Sequence, residues 1–530
     1  MKTRAIISGI AVIGLSSLLS CTKGFEEMNK PYNKPTSSSI GDLFNYMIST
    51  CQNTYQEQAT YHSFIYQVTQ QATQYSSSGY RMENAAKEMW DQYYKMLANS
   101  RQIDTLIAAD ANKEKMTNIL AMNKVIRAYR TIKMTENFGS IPYFKAGRGK
   151  FGTDTYRPSY DKQDAIYKSC IADLKWATDV FTADANQVSI GGSETLFKNN
   201  FTLWKKFANS YRLRAAVTMY DKDNAFASAQ IADAIAKPLL EEGDDIGLWP
   251  SQIPGLVFKM HAWSFSANQY LRMGTALWNQ MSDNNNEDGS GIFDPRCKIF
   301  FEGNYDGNWV PYPQNPTSAT PSEGGDPYNQ ERFKSWASNL KMGCKFSPFN
   351  FYLEDQNYIP ELWLTTAQVH LYLAEIYNRG MGVAKNPAAA KTHYEAGVKA
   401  SCKFWVSIAV NCPIWVVNKP TAVPSNAAMD AWLAHPKAAY NMGDEAAALK
   451  SIYTQLWIDG MRQINDIWTL FRRTGGNLPK DPNNNAYWQN TYSQYHRYTY
   501  PTSEQDYNFV NWKAEVGASD AYNTKTWLEK

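Results

Sequence analysis

Apolar positions recur along most of the chain with the period of a helix. In "MWDQYYKMLANSRQIDTLI" the residues Met89, Tyr93, Met96, Ser100, Ile103 and Ile107 follow at alternating steps of four and three, which lines one face of a helix. A second helix is predicted from about Met116 to Asn137, stopping at Gly139 ahead of Pro142, and a third carries Leu203, Phe207 and Tyr211. Val369, Tyr372, Leu373 and Ile376 line a fourth that ends at Gly380. Asn386-Pro387 then starts another, because proline at the first helical position loses no needed N–H and presets φ. Leu449, Ile452, Tyr453, Leu456, Ile464, Ile467 and Phe471 predict one long helix from about Asp444 to Arg473, closed by Gly475-Gly476. The expected fold is mostly α: antiparallel helix pairs of tetratricopeptide-like architecture, without a repeated 34-residue consensus.

Two stretches depart from this pattern. Between Leu248 and Tyr358, Gly, Pro, Asn and Ser punctuate the chain, and Trp and Tyr are interspersed, as in "NWVPYPQNPTSATPSEGGDPYNQ". A loop-rich region on a helical scaffold is the usual place for a binding surface. At the other extreme, Lys2 and Arg4 precede an uncharged apolar run from Ala5 to Leu19, which ends at Cys21. That is the layout of an export signal, too short to span a membrane comfortably. Leu18, Leu19, Ser20 and Cys21 look like a bacterial lipobox, in which the cysteine sulfur receives diacylglycerol and the chain is cut just before it. Residues 1–20 are then the signal peptide, residues 21–39 a flexible tether rich in Pro, Asn, Ser and Thr, and residues 40–530 one domain. Two or three acyl chains hold a protein at a membrane surface almost permanently, since each buried CH₂ contributes about 0.8 kcal/mol.

The formal net charge is +3, of which Lys2 and Arg4 supply two units, leaving the mature chain at +1. So small an excess gives no electrostatic case for nucleic acid. Seven cysteines include Cys21; the other six show no Cys-x-x-Cys spacing, which favours scattered buried thiols, with a Cys402–Cys412 bridge as the alternative. Six histidines include no His-Glu-x-x-His and no pair at metal-ligand spacing, so neither a metal nor another cofactor is expected. Ser159, Tyr160, Asp161 and Lys162 match Ser-x-x-Lys without its partner motifs and fit the first turn of a helix better. Asn284, Asn286, Asp288 and Gly289 loosely resemble a calcium loop, but Pro295 stands where a bidentate Glu is required. Nothing here points to an enzyme, although a glycosidase needs only two carboxylates whose separation a sequence does not disclose.

Several segments together resemble the SusD/RagB family of surface lipoproteins from Bacteroidetes, nearly end to end. They are the lipobox with "CTKGFEEMNKPYN", "WDQYYKMLANSRQI", "NKVIRAYRTIKMTENFGSIPYFKA", "LWKKFANSYRLRAA", "LTTAQVHLYLAEIYNRG" with "AAKTHYEAGVKAS", "IYTQLWIDGMRQINDIWTLFRRTG" and "HRYTYPTSEQDYNFVNW". The resemblance implies a helical protein on the outer face of the outer membrane. Such a protein would bind an oligosaccharide, or a peptide in some members, and pass it to a SusC-type TonB-dependent transporter. Glu26 and Glu27 resemble that group's surface-export signal. A lipid-anchored glycoside hydrolase is the rival reading.

For a glycan ligand the unusual aromatic content of 14%, with 34 Tyr and 17 Trp, gains meaning. A pyranose lays its C–H face on an aromatic ring while its hydroxyls need amide and carboxylate partners around the rim. Trp90, Trp204, Trp363, Trp457 and Trp468 fall on helical stripes and are expected in the core. Tyr80, Trp263, Trp309, Tyr312 and Trp336 lie outside helical period and are the candidate ligand contacts. Of these, Trp309 and Tyr312 are favoured because the prolines flanking Tyr312 stiffen the segment.

Overall fold

The computed structural model describes residues 38–74, 82–149, 152, 155–250, 271–283, 286–316, 320, 344–350, 353, 359–413, 415, 418–483 and 489–530. Cys21, Glu26, Glu27, Tyr80, Trp263, Asn284 and Trp336 lie outside the described residues.

The architecture is mostly helical, as the periodicity predicts. Helix α1 (Ile40–Ser49) begins at a capping box in which Ser39 and Asp42 satisfy each other's backbone N–H groups. Helix α2 (Met82–Ala109) buries Met89, Tyr93, Met96, Ser100, Ile103 and Ile107, the six residues of its predicted stripe. Helices α3 (Thr117–Phe138), α4 (Gln163–Val180), α5 (Phe201–Met219) and α6 (Asn224–Ile235) pack on one another in sequence order, the tetratricopeptide-like arrangement. Helix α3 stops at Gly139, whose φ of +82° is open to glycine at little cost.

Helix α7 (Thr366–Arg379) runs between a Thr365–Gln368 capping box and Gly380 in the left-handed region, and helix α8 (Pro387–Asn411) follows, with Asn386 as N-cap and Pro387 in the first turn. The two cross closely because Gly397 has no side chain: a Cβ there would lie 2.9 Å from Leu371 Cγ and 3.0 Å from the Ala367 carbonyl. The cap and the crossing residue together set this pair's geometry.

The long helix predicted over 444–473 is instead two, α9 (Glu445–Asp459) and α10 (Ile464–Arg473), joined by one 3₁₀ turn at Gly460–Arg462. The apolar pattern runs through the break, so periodicity does not reveal it. Gly460 does: a Cβ there would fall 2.2 Å from Ile467 Cδ1, so the bend folds α10 back onto the glycine.

Strands are few and short. Ala72–Gln74 (β1) pairs antiparallel with Leu271–Met273 (β3), and Ile246–Leu248 (β2) with Glu361–Leu364 (β4). Trp90, Trp204, Trp363, Trp457 and Trp468 are buried, as expected. Cys51, Cys170, Cys297, Cys344, Cys402 and Cys412 are buried free thiols. The Cys402–Cys412 alternative fails on geometry: ten residues of one helix rise about 15 Å, whereas a disulfide needs Cα atoms within about 7 Å.

The interior also holds ion pairs that tie distant helices. Glu136 on α3, 1% exposed, receives both guanidinium nitrogens of Arg214 from α5 and the Tyr167 hydroxyl from α4. Arg214 reaches Asp466 on α10 at 3.0 Å, and Arg472 on α10 donates to the Glu136 and His496 carbonyls. Burial pushes the Glu136 carboxyl up, but Arg214, Tyr167 and Arg472 outweigh it and hold the group below the ordinary carboxylate range.

No helix among the described residues is long and apolar enough to cross a membrane.

Candidate ligand-binding region

Three parts of the chain far apart in sequence meet at the β1–β3 ribbon. The first is the run "QVTQQATQ", where the helix Tyr66–Thr69 ends at Gln70 in the left-handed region (φ +60°) and turns into β1. The second is β3 and the segment beside it, where the Tyr312 N–H donates to the Met273 carbonyl at 2.8 Å. The third is the stretch after α10 that contains Asp481 and Tyr492.

Buried amides join the three. Gln314 Nε2 donates to the Gln67 carbonyl at 3.1 Å, and its Oε1 accepts from Thr73 Oγ1 at 3.1 Å. The Gln70 side chain accepts from the Asp481 N–H at 2.7 Å, and Gln67 Oε1 accepts from the Tyr492 hydroxyl at 2.7 Å. Gln71 donates to the Trp457 carbonyl on α9, and the Trp457 indole donates back to the Thr69 carbonyl at 2.8 Å. Gln67, Gln70, Gln71, Thr73, Gln314 and Asp481 are all buried. An unpaired amide there would cost about 1–3 kcal/mol, so paired amides fix one register for three crossing segments. Sequence reading took no account of these glutamines; four in eight residues, Gln67, Gln70, Gln71 and Gln74, were the available signal.

The register of the ribbon sets Gln74 opposite Leu271. Gln74 directly precedes the segment 75–81 that holds Tyr80, and Leu271 directly follows the segment 251–270 that holds Trp263. The bases of those two segments are therefore neighbours.

Trp309 and Tyr312 are placed otherwise than the sequence suggested. Trp309 is 8% exposed and Tyr312 3%, so neither offers the open ring face that a sugar requires. Trp309 covers Gly289 (φ +75°), where a Cβ would come 2.6 Å from the indole, and the Trp309 backbone N–H donates to the Glu287 carbonyl. Tyr312 meets Phe346 edge to face at 4.7 Å. Stiffness from the flanking prolines serves packing here. The partner of Trp309 is a glycine twenty positions away, a pairing that no periodicity discloses.

The other motifs have plain structural roles. Ser159–Lys162 lies just ahead of α4 and not in its first turn; Asp161 accepts the N–H groups of Tyr143 and Phe144, both at 2.8 Å. Asp288 accepts the Ser290 N–H at 2.9 Å. Among the described residues, no three His, Cys, Asp or Glu side chains are grouped to hold a metal ion.

A cleft of about 300 Å³ opens where α3 ends, between Gly139, Tyr500 and Trp527. Of its charged lining residues, Lys162 pairs with Glu515 at 2.8 Å, and Arg497 pairs with Asp520 outside the cleft.

Residues 32–501 match the model of a family described as "SusD-like_2: Starch-binding associating with outer membrane". The chain belongs to this SusD-like family. Solved structures agree on the fold: a chitin-binding protein at 22% identity and TM-score 0.69, covering 93% of this chain and all of its own. A Bacteroidetes SusD-like protein gives 20% identity and TM-score 0.70 over the same shares. A chitin-binding SusD homolog from Flavobacterium johnsoniae gives 19% and 0.64, covering 92% of this chain and 98% of its own. No curated protein matches the chain. At these identities the solved structures establish the SusD-like fold, and the ligand has to be argued from the site.

Proposed function

We propose that this SusD-like protein is a surface-exposed lipoprotein, anchored through Cys21, that captures an oligosaccharide and delivers it to a SusC-type TonB-dependent transporter in the outer membrane. Family membership supports this reading, and so do the two chitin-binding homologues with the same fold. The observation that supports it is the pairing of Gln74 with Leu271, the residues that adjoin in sequence the segments bearing Tyr80 and Trp263. A rigid base of paired amides lowers the conformational cost of binding. In this reading Tyr80, Trp263 and Trp336 stack on the sugar, while Trp309 and Tyr312 brace the base. An exposed apolar strip, Tyr507, Phe509 and Val510, is suited to being covered by a partner protein.

Calorimetric titration with chitotetraose, cellotetraose and maltotetraose tests the reading, with product analysis of the same samples. Binding without turnover, weakened at least tenfold by Trp263→Ala with Trp336→Ala, is the expected result. Release of shorter sugars would establish the rival lipid-anchored hydrolase, and binding of oligopeptides alone would make this a RagB-like peptide binder. Cys21→Ser should release the protein from the membrane fraction, and a transporter barrel should co-purify with the wild type only.

A further inference from the structure

A second cleft, of about 470 Å³, lies on the helical side of the molecule between α5, β2 and α8. Its volume is within the range of about 300–1,000 Å³ common to small-ligand sites. Neither Trp309 nor Tyr312 lines it.

The walls are aromatic. Trp249 follows β2 and meets Phe404 of α8 edge to face at 6.3 Å, and Phe197, packed on Trp204 with ring centroids 4.7 Å apart, also lines the cleft. Trp249 and Phe197 are only half-buried, so ring surface faces the opening. Ile246 and Gly247 of β2 also line it, and β2 approaches β4 closely because Gly247 has no side chain: a Cβ there would be 2.6 Å from the Glu361 carbonyl oxygen.

One wall is held in shape from beneath. Glu194, 1% exposed, accepts the N–H groups of Leu196 at 2.8 Å and Phe197 at 2.9 Å, together with that of Asn199. This grip keeps Lys198 and Asn199, two consecutive residues other than glycine, in the left-handed region at φ +53° and +60°. Such strain persists only where the surroundings over-determine it.

Polar groups line the cleft as well. Asp245 accepts the first N–H of α7 from Thr366 at 2.9 Å through Oδ1, and Asp244 is neutralised by Lys206 at 2.9 Å. Lys198 and Ser407 complete the rim. Lys206 is shared with Glu241 at 2.7 Å, so the edge carries no excess positive charge to favour an anionic ligand. Aromatic walls with a rim of oxygen acceptors match a ligand that has a flat C–H face and hydroxyl donors at its edge.

We infer that this cleft is a second carbohydrate site, which takes a neutral pyranoside against Trp249 and accepts hydrogen bonds from its hydroxyls on Asp245. The inference shares the glycan ligand of the proposed function but rests on different residues, and a protein with two sites would hold an oligosaccharide by more than one segment.

The test is a titration of the purified protein with chitotetraose, cellotetraose and maltotetraose, comparing wild type, Trp249→Ala, Asp245→Asn and the Trp263→Ala, Trp336→Ala double variant. Asp245→Asn keeps an oxygen for the Thr366 N–H, so it guards against loss of binding by misfolding. The expected wild-type isotherm has two sites, of which Trp249→Ala removes one and Asp245→Asn weakens the same one at least fivefold. A single site lost in Trp249→Ala yet kept in the double variant would support the cleft and overturn the loop site. A single site untouched by Trp249→Ala and Asp245→Asn would overturn the cleft and leave the proposed function standing. Absence of heat with every sugar would overturn both.

Discussion

Glu136 and Arg214 form a two-pronged ion pair in the interior, between helices α3 and α5 that are separated in sequence by α4. Each is almost wholly removed from solvent. Such a pair adds little over an apolar replacement, but a partner left alone is an uncompensated buried charge. In Glu136→Gln, Arg214 keeps only Asp466 at 3.0 Å, so the variant is expected to destabilise the fold by up to about 3–5 kcal/mol. Adding Arg214→Met together with Asp466→Asn should recover much of that loss, as read from urea midpoints of the variants. Because the folded carboxyl is held below its ordinary range, its contribution is present above the unfolded pKa and is lost as pH falls through the folded one.

His370 on α7 and His393 on α8 face each other with their Nδ1 atoms 3.1 Å apart. The ring centroids are 5.4 Å apart, so the two nitrogens lie nearly on the line between them, the geometry of one shared N–H···N bond. A second proton would set two cations head to head. Burial lowers both rings, His393 further to about 4 because His370 is also unfavourable to its charge, while Glu242 raises His370 only in part. The unfolded state then binds protons first on acidification. Stability should be complete above about pH 6.5 and fall as pH drops toward 4, and the His370→Gln, His393→Gln variant should show a flatter profile of thermal midpoint between pH 4 and 7.

Gly397 makes the α7–α8 crossing possible, since a Cβ would be 3.0 Å from the backbone oxygen of Ala367. Helix propensity alone would make Gly397→Ala stabilising by up to about 1 kcal/mol. The clash with backbone decides the sign, and overpacking of about 1–3 kcal/mol is the expected net loss, measurable as a lower midpoint of thermal unfolding.

Trp309→Ala and Tyr312→Ala separate packing from binding. Each removes a buried ring and should cost about 3–5 kcal/mol, visible without any sugar. Where the variants remain folded, chitotetraose affinity should change by less than threefold. A large loss of affinity at unchanged stability would return these rings to the ligand.

Helix α2 was legible because it exposes one face and buries another, its stripe from Met89 to Ile107 being buried as spaced, whereas α3 is buried nearly all round. Helix ends were legible where a residue type has one conformational use, as at Gly139, Gly380 and Asn386-Pro387. The break at Gly460 was not, because the stripe resumes in phase on the far side. Trp309 and Tyr312 misled for a related reason. Irregular backbone looks like surface in a sequence, yet here it is folded against itself, with Tyr312 on Phe346 and Trp309 on a glycine. The amides of the ribbon escaped notice because a buried glutamine is distinguished only by its partners, and Gln67 finds Tyr492 across 425 positions.

That reach has a consequence in time. The Tyr66 hydroxyl donates to the Met461 carbonyl 395 residues away, and Gln71 and Trp457 exchange hydrogen bonds over comparable spans. Contacts so remote in sequence form late, after the local helix pairs, and slow the final step of folding. The amide-paired ribbon cannot lock until nearly the whole chain has been made, so a nascent chain carries its helices before it carries this joint.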